Sequence, residues 1–205
     1  MKIKNSSIQN LIYRFSPIIK FYLRKVGINF TKAYLYSIKL DDIIFKEPKA
    51  DNIIMKVCGK EDLYLFGKLK DNFLSDILEN KILIGAFLND QWVGYIWISL
   101  EYAEVPELER VIKFEGAYLW NLYVKKEYRQ NGIAKKLLCF SLNQIKNNYK
   151  KKEAYGMIET SNLPSIKSVE RNKFSRVGTI SFSKFLLWKK YDEKLDNNKI
   201  ALLEK

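Results

Sequence analysis

The chain has 205 residues, 47% hydrophobic and 29% charged, a balance that indicates a globular protein with one main domain and excludes an intrinsically disordered one. Its 36 Lys and Arg against 23 Asp and Glu give a formal net charge of +13, and it contains no histidine. The absence of histidine excludes Ser-His-Asp and Cys-His catalytic pairs and every histidine-containing zinc site, so any general base must be a carboxylate, a tyrosine, a lysine or an ordered water.

Cysteine spacing and hydropathy indicate the cellular compartment and whether the chain spans a membrane. Cys58 and Cys139 are far apart and no C-x-x-C motif occurs, so neither a metal knuckle nor a disulfide framework is expected. The apolar stretch 11–30 is interrupted by four basic residues and by Pro17. It falls short of the roughly 18 uninterrupted apolar residues that a membrane span requires, and it lacks a secretory cleavage site. We therefore expect a cytoplasmic protein without a membrane span.

Positive charge is concentrated in the N-terminal third. Residues 1–60 contain twelve Lys and Arg and four Asp and Glu (12 − 4 = +8), whereas residues 61–205 contain 24 and 19 (24 − 19 = +5). Such an excess attracts polyanions, which include phosphate-rich cofactors, nucleic acid and anionic lipid surfaces. The solvated surface of a lysine-rich chain explains the same excess, so charge alone selects no partner.

The first fifty residues predict a basic extension. The motif Ser16-Pro17 favours the start of a short helix and Gly27 favours its end. Residues 34–40 have the character of a strand, and 41–51 that of a linker. A basic amphipathic helix either lies on a membrane or docks onto its own domain, and docking is the commoner outcome.

Regular elements begin at residue 52. They are, in chain order, a strand at 52–58, a helix at 60–80, a hairpin of strands at 82–88 and 92–102, an irregular acidic stretch at 101–115, a strand at 117–124, a helix at 132–149, a strand at 153–160, a helix at 164–172, and strands at 174–180 and 182–188. The polar tail 189–205 is expected to fray or to form a loose helix. This order predicts a mixed α/β fold around one central sheet. The four tryptophans are expected in the core or at its rim: Trp92, Trp97, Trp120 and Trp188.

The segment from Tyr123 to Lys136 predicts an anion-binding turn. An apolar strand leads through a short turn into a helix that opens with Gly132 and Ala134. The first N–H groups of a helix lack internal partners and lie at its positive dipole end, so the amides of residues 130–134 are suited to a diphosphate. Gly132 allows close approach of a phosphate to the backbone. The flanking lysines are either further phosphate contacts or a solvated rim.

The pattern Arg129-x-x-Gly132-x-Ala134 after an apolar strand resembles the R/Q-x-x-G-x-G/A acyl-CoA-binding signature of the GNAT superfamily of N-acetyltransferases. Further along, the segment from Asn162 through Ser165 to Phe174 is similar to the family's second segment, N-x-x-S/A followed by a helix. The resemblance covers residues 52–188. It departs from the family at the residue before Phe174, where a lysine replaces the usual glycine, and we expect Asn172 to take the left-handed helix end there.

The resemblance implies a mostly antiparallel twisted sheet flanked by helices, with a V-shaped splay between the family's fourth and fifth strands, here 117–124 and 153–160. It implies an acetyltransferase domain at 51–189, an N-terminal helix–strand extension at 1–50 and a polar C-terminal tail at 190–205.

The resemblance also implies acetyl-CoA as co-substrate and no metal. The pantetheine arm is expected in the splay, against the main chain of Leu122, Tyr123 and Val124, with Asn162 facing the same arm. The remaining implied cofactor-binding residues are Arg129, Gln130, Asn131, Gly132, Ile133, Ala134, Lys135 and Ser165.

The implied reaction is direct attack of a neutral amine on the thioester, so a base or a water relay must take a proton from the ammonium. Glu101 and Glu115 are the candidate bases, and Asn121, with the same strand parity as Glu115, is a candidate to hold a water. Solvated loop carboxylates are the competing interpretation of both glutamates.

In many family members a tyrosine protonates the leaving thiolate of coenzyme A. Val169 occupies the position of that tyrosine here. Either Tyr118 or Tyr123 substitutes, or the thiolate leaves unassisted, or the enzyme is slow or inactive.

The leading hypothesis is therefore an N-acetyltransferase acting on a primary amine: a peptide N-terminus, a lysine, a polyamine or another small amine. The second is a non-catalytic acyl-CoA-binding module, and the third is a nucleic-acid or membrane-surface adaptor based on the basic N-terminal third. The sequence identifies no acceptor and leaves open whether the chain forms a homodimer.

Overall fold

A computed structural model describes residues 17–41, 52–79, 81–195 and 200–203. The helices are α1 (Pro17–Lys25), α2 (Lys70–Leu78), α3 (Ile133–Asn147) and α4 (Leu163–Arg171). The strands are β1 (Ile28–Lys39), β2 (Ile53–Cys58), β3 (Ile82–Leu88), β4 (Gln91–Val105), β5 (Arg110–Val124), β6 (Glu153–Glu159), β7 (Ser175–Phe185), β8 (Trp188–Leu195) and β9 (Ile200–Leu203). Short 3-10 segments cover Lys60–Leu69, Pro106–Leu108 and Lys126–Tyr128. Ser16 and most of the predicted linker lie outside the described residues.

The chain divides into two compact units. One contains residues 39–103 and 114–155, and we call it the motif unit because it includes the turn before α3. The other, the terminal unit, contains the described residues of 1–38, 104–113 and 156–205. Strands β1, β4, β5 and β6 each contribute residues to both units.

The motif unit has the strand order β2-β3-β4-β5-β6. Strands β2 and β3 are antiparallel, as are β3 and β4, and Ile84 lies opposite Ile96 in the second pair. The predicted hairpin of 82–88 and 92–102 is thereby confirmed. Strand β3 is buried from Leu83 to Phe87 because it is covered on both faces.

An aromatic cluster forms much of the core of the motif unit. Its fully or nearly buried members are Cys58, Leu63, Phe66, Phe73, Leu83, Phe87, Tyr95 and Trp97. The rings meet edge to face: Phe73 lies 5.3 Å from Trp97 at an interplanar angle of 88°. Helix α3 buries a separate stripe that includes Leu137 and Leu142, at the helical spacing of an amphipathic face.

The terminal unit has the strand order β6-β1-β7-β8. Strands β1 and β7 are antiparallel, with Thr31 opposite Phe182, and β7 pairs with β8 in the same sense. The mixed α/β class and the mostly antiparallel sheet flanked by helices are therefore confirmed. The splay between the family's fourth and fifth strands and the three-part domain division stay predictions.

The strand predicted at 34–40 starts too late, because β1 begins at Ile28. Its first buried positions are Asn29, Thr31 and Ala33, two of them polar. The side chains of Asn29 and Thr31 are satisfied by hydrogen bonds, including one from the Asn29 amide to the Glu107 carbonyl at 2.9 Å. A hydropathy pattern does not reveal buried positions that are filled by hydrogen-bonded polar residues.

Two further segments correct the predicted elements. The helix expected at 60–80 is interrupted, since Gly67 has φ +58 and kinks the chain inside the 3-10 segment that precedes α2. The stretch 101–115, expected to be irregular, is mostly strand: β4 runs to Val105 and β5 starts at Arg110. Alternating burial at Ala103 and Val105 stabilises the strand despite its acidic neighbours.

The predictions for the C-terminal strands and tail are also wrong. The two closing strands are a single strand, β7, and residues 188–195 form β8 instead of fraying. Tyr191 of β8 stacks on Phe182 of β7 with ring centroids 4.6 Å apart. The remaining charged residues of β8 suit an edge strand. Trp188 is 57% exposed, so its expected packing role is also wrong.

Gly116→Ala is expected to lower the free energy of unfolding by about 2 kcal/mol through overpacking. A Cβ at position 116 would collide with the main-chain carbonyl of Glu153 on the adjacent strand β6, which has no side-chain freedom with which to yield. Urea unfolding followed by circular dichroism measures the change. Glu115→Ala, at an exposed neighbouring position, is the control and should shift stability by less than about 0.5 kcal/mol. Equal stability of Gly116→Ala and the parent would contradict the observed strand contact.

Candidate functional site

The turn between β5 and α3 is held by hydrogen bonds from both ends. The Lys125 N–H donates to the Val93 carbonyl at 2.9 Å, and the Tyr128 N–H donates to the Lys125 carbonyl at 2.9 Å. The Arg129 Nε donates to the Val124 carbonyl at 3.0 Å. The Arg129 side chain therefore ties the turn to the last residue of the strand.

Helix α3 starts without a side-chain cap. Gly132 is its N-cap, with φ 73 and ψ 1, in the left-handed region that glycine adopts at little cost. No side chain accepts a hydrogen bond from the first turn, and the first turn contains no acidic residue. A Cβ built at Gly132 meets no atom within 4 Å, so open space lies over the cap. Amides with no side-chain partner at a positive dipole end are suited to an anion.

Cations surround this helix start. Lys126 and Lys135 are exposed, and Lys136 is half-buried. The Lys125 ammonium lies 4.1 Å from the ring centroid of Trp92, which supports the lysine stem beside the turn. Glu127 is the only acid between Lys125 and Lys136. The local charge therefore favours a phosphate group.

The last residues of β5 depart from regular strand geometry. Asn121 has φ +51, and Asn121, Leu122 and Tyr123 are all exposed, at 41% for Leu122 and 38% for Tyr123. Regular alternation would bury one of these three side chains. The irregular backbone at Asn121 thus exposes the segment that the family resemblance assigns to pantetheine. Val124, at 9% exposure, is buried.

Tyr95 joins Asn121 and Tyr123 in one group. The rings of Tyr95 and Tyr123 stack, with centroids 5.5 Å apart and an interplanar angle of 25°. Burial raises the pKa of Tyr95, and a hydrogen bond from the Asn121 side chain partly offsets the increase. Sequence reasoning did not find Tyr95, because it lies within a uniformly buried stretch of β4 where only its hydroxyl differs from a core residue.

The other predicted catalytic residues form none of the contacts of this group within the described residues. The exposed carboxylate of Glu101, at φ +74, pairs with Lys151 at 3.3 Å. Glu115 is exposed, and no described residue forms an ion pair with it. Within the described residues, no hydrogen bond joins either glutamate to Asn121 or Tyr123. Tyr118 is only 5% exposed and stacks on a neighbouring phenylalanine ring of β5.

The second predicted segment belongs to the terminal unit. Asn162 is the N-cap of α4, and its side-chain oxygen accepts from the Ser165 N–H at 3.3 Å. The expected left-handed end at Asn172 is wrong: Asn172 has φ −90, and Lys173 itself has φ +66. The chain therefore keeps the backbone conformation of the family's usual glycine with a lysine in its place.

Neither a metal cluster nor a membrane-spanning helix occurs in the described part of the chain. Within residues 17–41, 52–79, 81–195 and 200–203, no three His, Cys, Asp or Glu side chains come together as metal ligands. No helix in these ranges is long and apolar enough to cross a bilayer.

Comparison with known families identifies the class of this chain. The family model described as "Acetyltransferase (GNAT) family" matches residues 54–174, more than half of the sequence. The chain therefore belongs to the GNAT acetyltransferase family, and the resemblance inferred from the two sequence segments is confirmed.

A curated relative is an N-alpha-acetyltransferase of Saccharolobus solfataricus, 31% identical over 94 residues. The aligned region is 45% of this chain and 55% of the relative, so the chain spans about half the length of that protein.

Two solved structures share the fold. A putative GNAT acetyltransferase from Novosphingobium aromaticivorans superposes with a TM-score of 0.55 at 13% identity, covering 77% of this chain and 65% of the other. A GNAT-family acetyltransferase from Colwellia psychrerythraea gives a TM-score of 0.52 at 18% identity, covering 82% and 62%. These likenesses support the fold alone.

Arg129→Ala is expected to lower the free energy of unfolding by about 1 kcal/mol, because the Val124 carbonyl loses its charged donor. Arg129→Gln keeps an N–H donor, which the family signature accepts at this position, and should recover part of the loss. Urea unfolding of both variants beside the parent measures the difference. Equal stability of Arg129→Ala and the parent would show that the bond does not hold the turn.

Proposed function

We propose that the protein is an N-acetyltransferase that transfers the acetyl group of acetyl-CoA to a primary amine. One observation carries the proposal: the start of α3 is uncapped, open and surrounded by cations, at the position of the acyl-CoA signature. Membership of the GNAT family supports the reaction class. We place the reaction in the cytoplasm, the compartment expected from the sequence.

The main chain at the start of α3 is proposed to bind the diphosphate of acetyl-CoA. The amides from Gly132 to Lys135 would donate to its oxygens, with Gln130 and Asn131 completing the turn. Arg129 is a positioning residue, since its Nε is already bound to the Val124 carbonyl. The exposed segment Asn121–Tyr123 offers main-chain groups to the pantetheine arm. For Asn162 and Ser165, the proposed role in binding acetyl-CoA is based on the family resemblance alone.

Acetyl-CoA supplies the activated thioester, and the protein has to position an amine and remove its proton. Glu115 is the stronger candidate base, because it is exposed and has no ion pair with a described residue. Glu101 is the weaker one, because Lys151 holds its carboxylate. Asn121 is proposed to position a water, and Tyr123 replaces Tyr118 as the candidate acid, since Tyr118 is buried.

The acceptor is proposed to be an α-amine. The curated relative is named an N-alpha-acetyltransferase, and this favours a peptide N-terminus over a lysine, a polyamine or another small amine. The formation of a homodimer stays a prediction.

A non-catalytic acyl-CoA-binding module is the second candidate. Val169, half-buried on α4, stands where many family members have a proton-donating tyrosine. This candidate predicts acetyl-CoA binding without release of free thiol for any amine, and a thiol-release assay with a panel of peptides separates the two.

Gly132→Glu is expected to abolish acetyl-CoA binding, measured by isothermal titration calorimetry, because a carboxylate over the helix start blocks and repels the diphosphate. Gly67→Glu is the matched control: Gly67 also has a positive φ, and a Cβ there also meets no atom within 4 Å. Both variants add the same charge at a positive φ, and the backbone strain is larger in the control, because Gly67 has ψ −124 whereas Gly132 has ψ 1. Tight binding by Gly132→Glu, or equal loss in Gly67→Glu, would contradict the proposed diphosphate site.

Glu115→Gln is expected to lower kcat about a hundredfold while the affinity for acetyl-CoA stays unchanged, because the amide cannot accept the ammonium proton. Steady-state thiol release at saturating acetyl-CoA measures the effect. Glu101→Gln is assayed in parallel. A loss confined to Glu101→Gln would contradict Glu115 as the base and assign the role to Glu101.

A further inference from the structure

The turn between β7 and β8 carries large apolar side chains into solvent. Phe185 is 54% exposed, Leu186 59%, Leu187 98% and Trp188 57%. Turns of two residues usually contain glycine, asparagine or aspartate, because these residues accept a positive φ. Here Leu186 has φ +53. Exposed leucines in a turn that requires a positive φ do not stabilise the fold. We therefore expect this turn to contact something outside the chain.

Helix α1 presents a second apolar surface beside this turn. The Leu186 N–H donates to the Gly27 carbonyl at 2.8 Å, which fixes the turn against the residues that follow α1. Ile19, Tyr22 and Val26 have the spacing i, i+3, i+7 of one helical stripe, continued to the residue before Gly27. They are exposed by 45%, 63% and 60% respectively.

Among the described side chains of α1 and the residue after it, a cation contacts the protein and three apolar side chains are exposed. The side of α1 that contacts the terminal unit includes Arg24, whose guanidinium donates to Asn29, Thr31 and Glu159 at 3.3 to 3.4 Å. The stripe of Ile19, Tyr22 and Val26 is exposed to solvent instead. An amphipathic helix normally buries its apolar side in the protein. The exposed stripe is the arrangement of a helix that lies at a lipid interface.

Basic residues flank both apolar surfaces. Residues 17–27 and 184–190 contain three Lys or Arg each and no Asp or Glu. Two glutamates neutralise part of this charge: Glu109 binds both Lys184 and Lys189 at 2.7 Å, and Glu159 binds Arg24 at 3.4 Å. Lys190 is exposed at the edge of the apolar residues. An apolar protrusion with a basic rim is complementary to a bilayer that contains anionic lipid.

We propose that the terminal unit binds the surface of an anionic membrane through the apolar tip, defined as Tyr22, Val26, Phe185, Leu186, Leu187 and Trp188. The apolar side chains enter the boundary between headgroups and acyl chains, and the flanking lysines contact lipid phosphates. Binding is peripheral and reversible, and it is independent of acetyl-CoA. A second copy of the chain is a poorer occupant of the tip, because two basic rims repel each other.

Co-sedimentation of the full chain with vesicles tests the proposal. We expect binding to vesicles of phosphatidylcholine with phosphatidylglycerol, weaker binding to phosphatidylcholine alone, and weaker binding at high salt. Leu187→Asp should reduce the partition coefficient about tenfold or more. Tyr64→Asp is the matched control, because Tyr64 is 71% exposed but belongs to the motif unit, and it should bind like the parent.

Trp188 provides an independent readout of insertion. Brominated lipids should quench part of the tryptophan emission of the parent, and Trp188→Phe should bind equally well but lose that quenched part. The proposal is overturned if the parent does not bind anionic vesicles, or if folded Leu187→Asp binds as well as the parent. It is also overturned if light scattering finds a dimer of the parent that Leu187→Asp dissociates, since a second copy would then occupy the tip.

Discussion

The uncapped start of α3 is the constraint on which the site depends. Most helices satisfy their first amides with a side chain, and loss of such a cap costs about 1 kcal/mol. In this chain Gly132 occupies the cap position without a side chain, and Arg129 binds the end of β5 instead of the helix. The first amides are therefore left for solvent or for an anionic ligand. The same arrangement destabilises the free protein slightly and favours the ligand-bound one.

Local signals made this part of the molecule predictable. An apolar strand, a turn and a helix beginning at glycine are encoded within about fifteen residues, so β5, the turn and α3 could be inferred without knowledge of distant contacts. The group of Tyr95, Asn121 and Tyr123 could not be inferred from local signals. It depends on the positive φ of Asn121, which shifts the side chains of the following residues. Asparagine tolerates such a φ but does not dictate it.

In the terminal unit, a hydropathy pattern assigns burial wrongly for both polar and apolar residues. Strand β1 buries Asn29 and Thr31, which a hydropathy pattern assigns to solvent, because the Arg24 guanidinium binds both. The turn after β7 exposes Leu187 and Trp188, which a hydropathy pattern assigns to the core. Hydrogen bonding explains the first inversion. The second has no explanation within the described chain, and a lipid surface provides one.

The most direct test of the proposed site is an NMR titration of the ¹⁵N-labelled protein with acetyl-CoA and with acetylpantetheine, which lacks the diphosphate. We expect acetyl-CoA to shift the amide resonances of Gly132, Ile133 and Ala134, and acetylpantetheine to leave them in place. Saturable binding of acetyl-CoA with these three amides unperturbed would contradict the proposed site, because the diphosphate would then be held elsewhere.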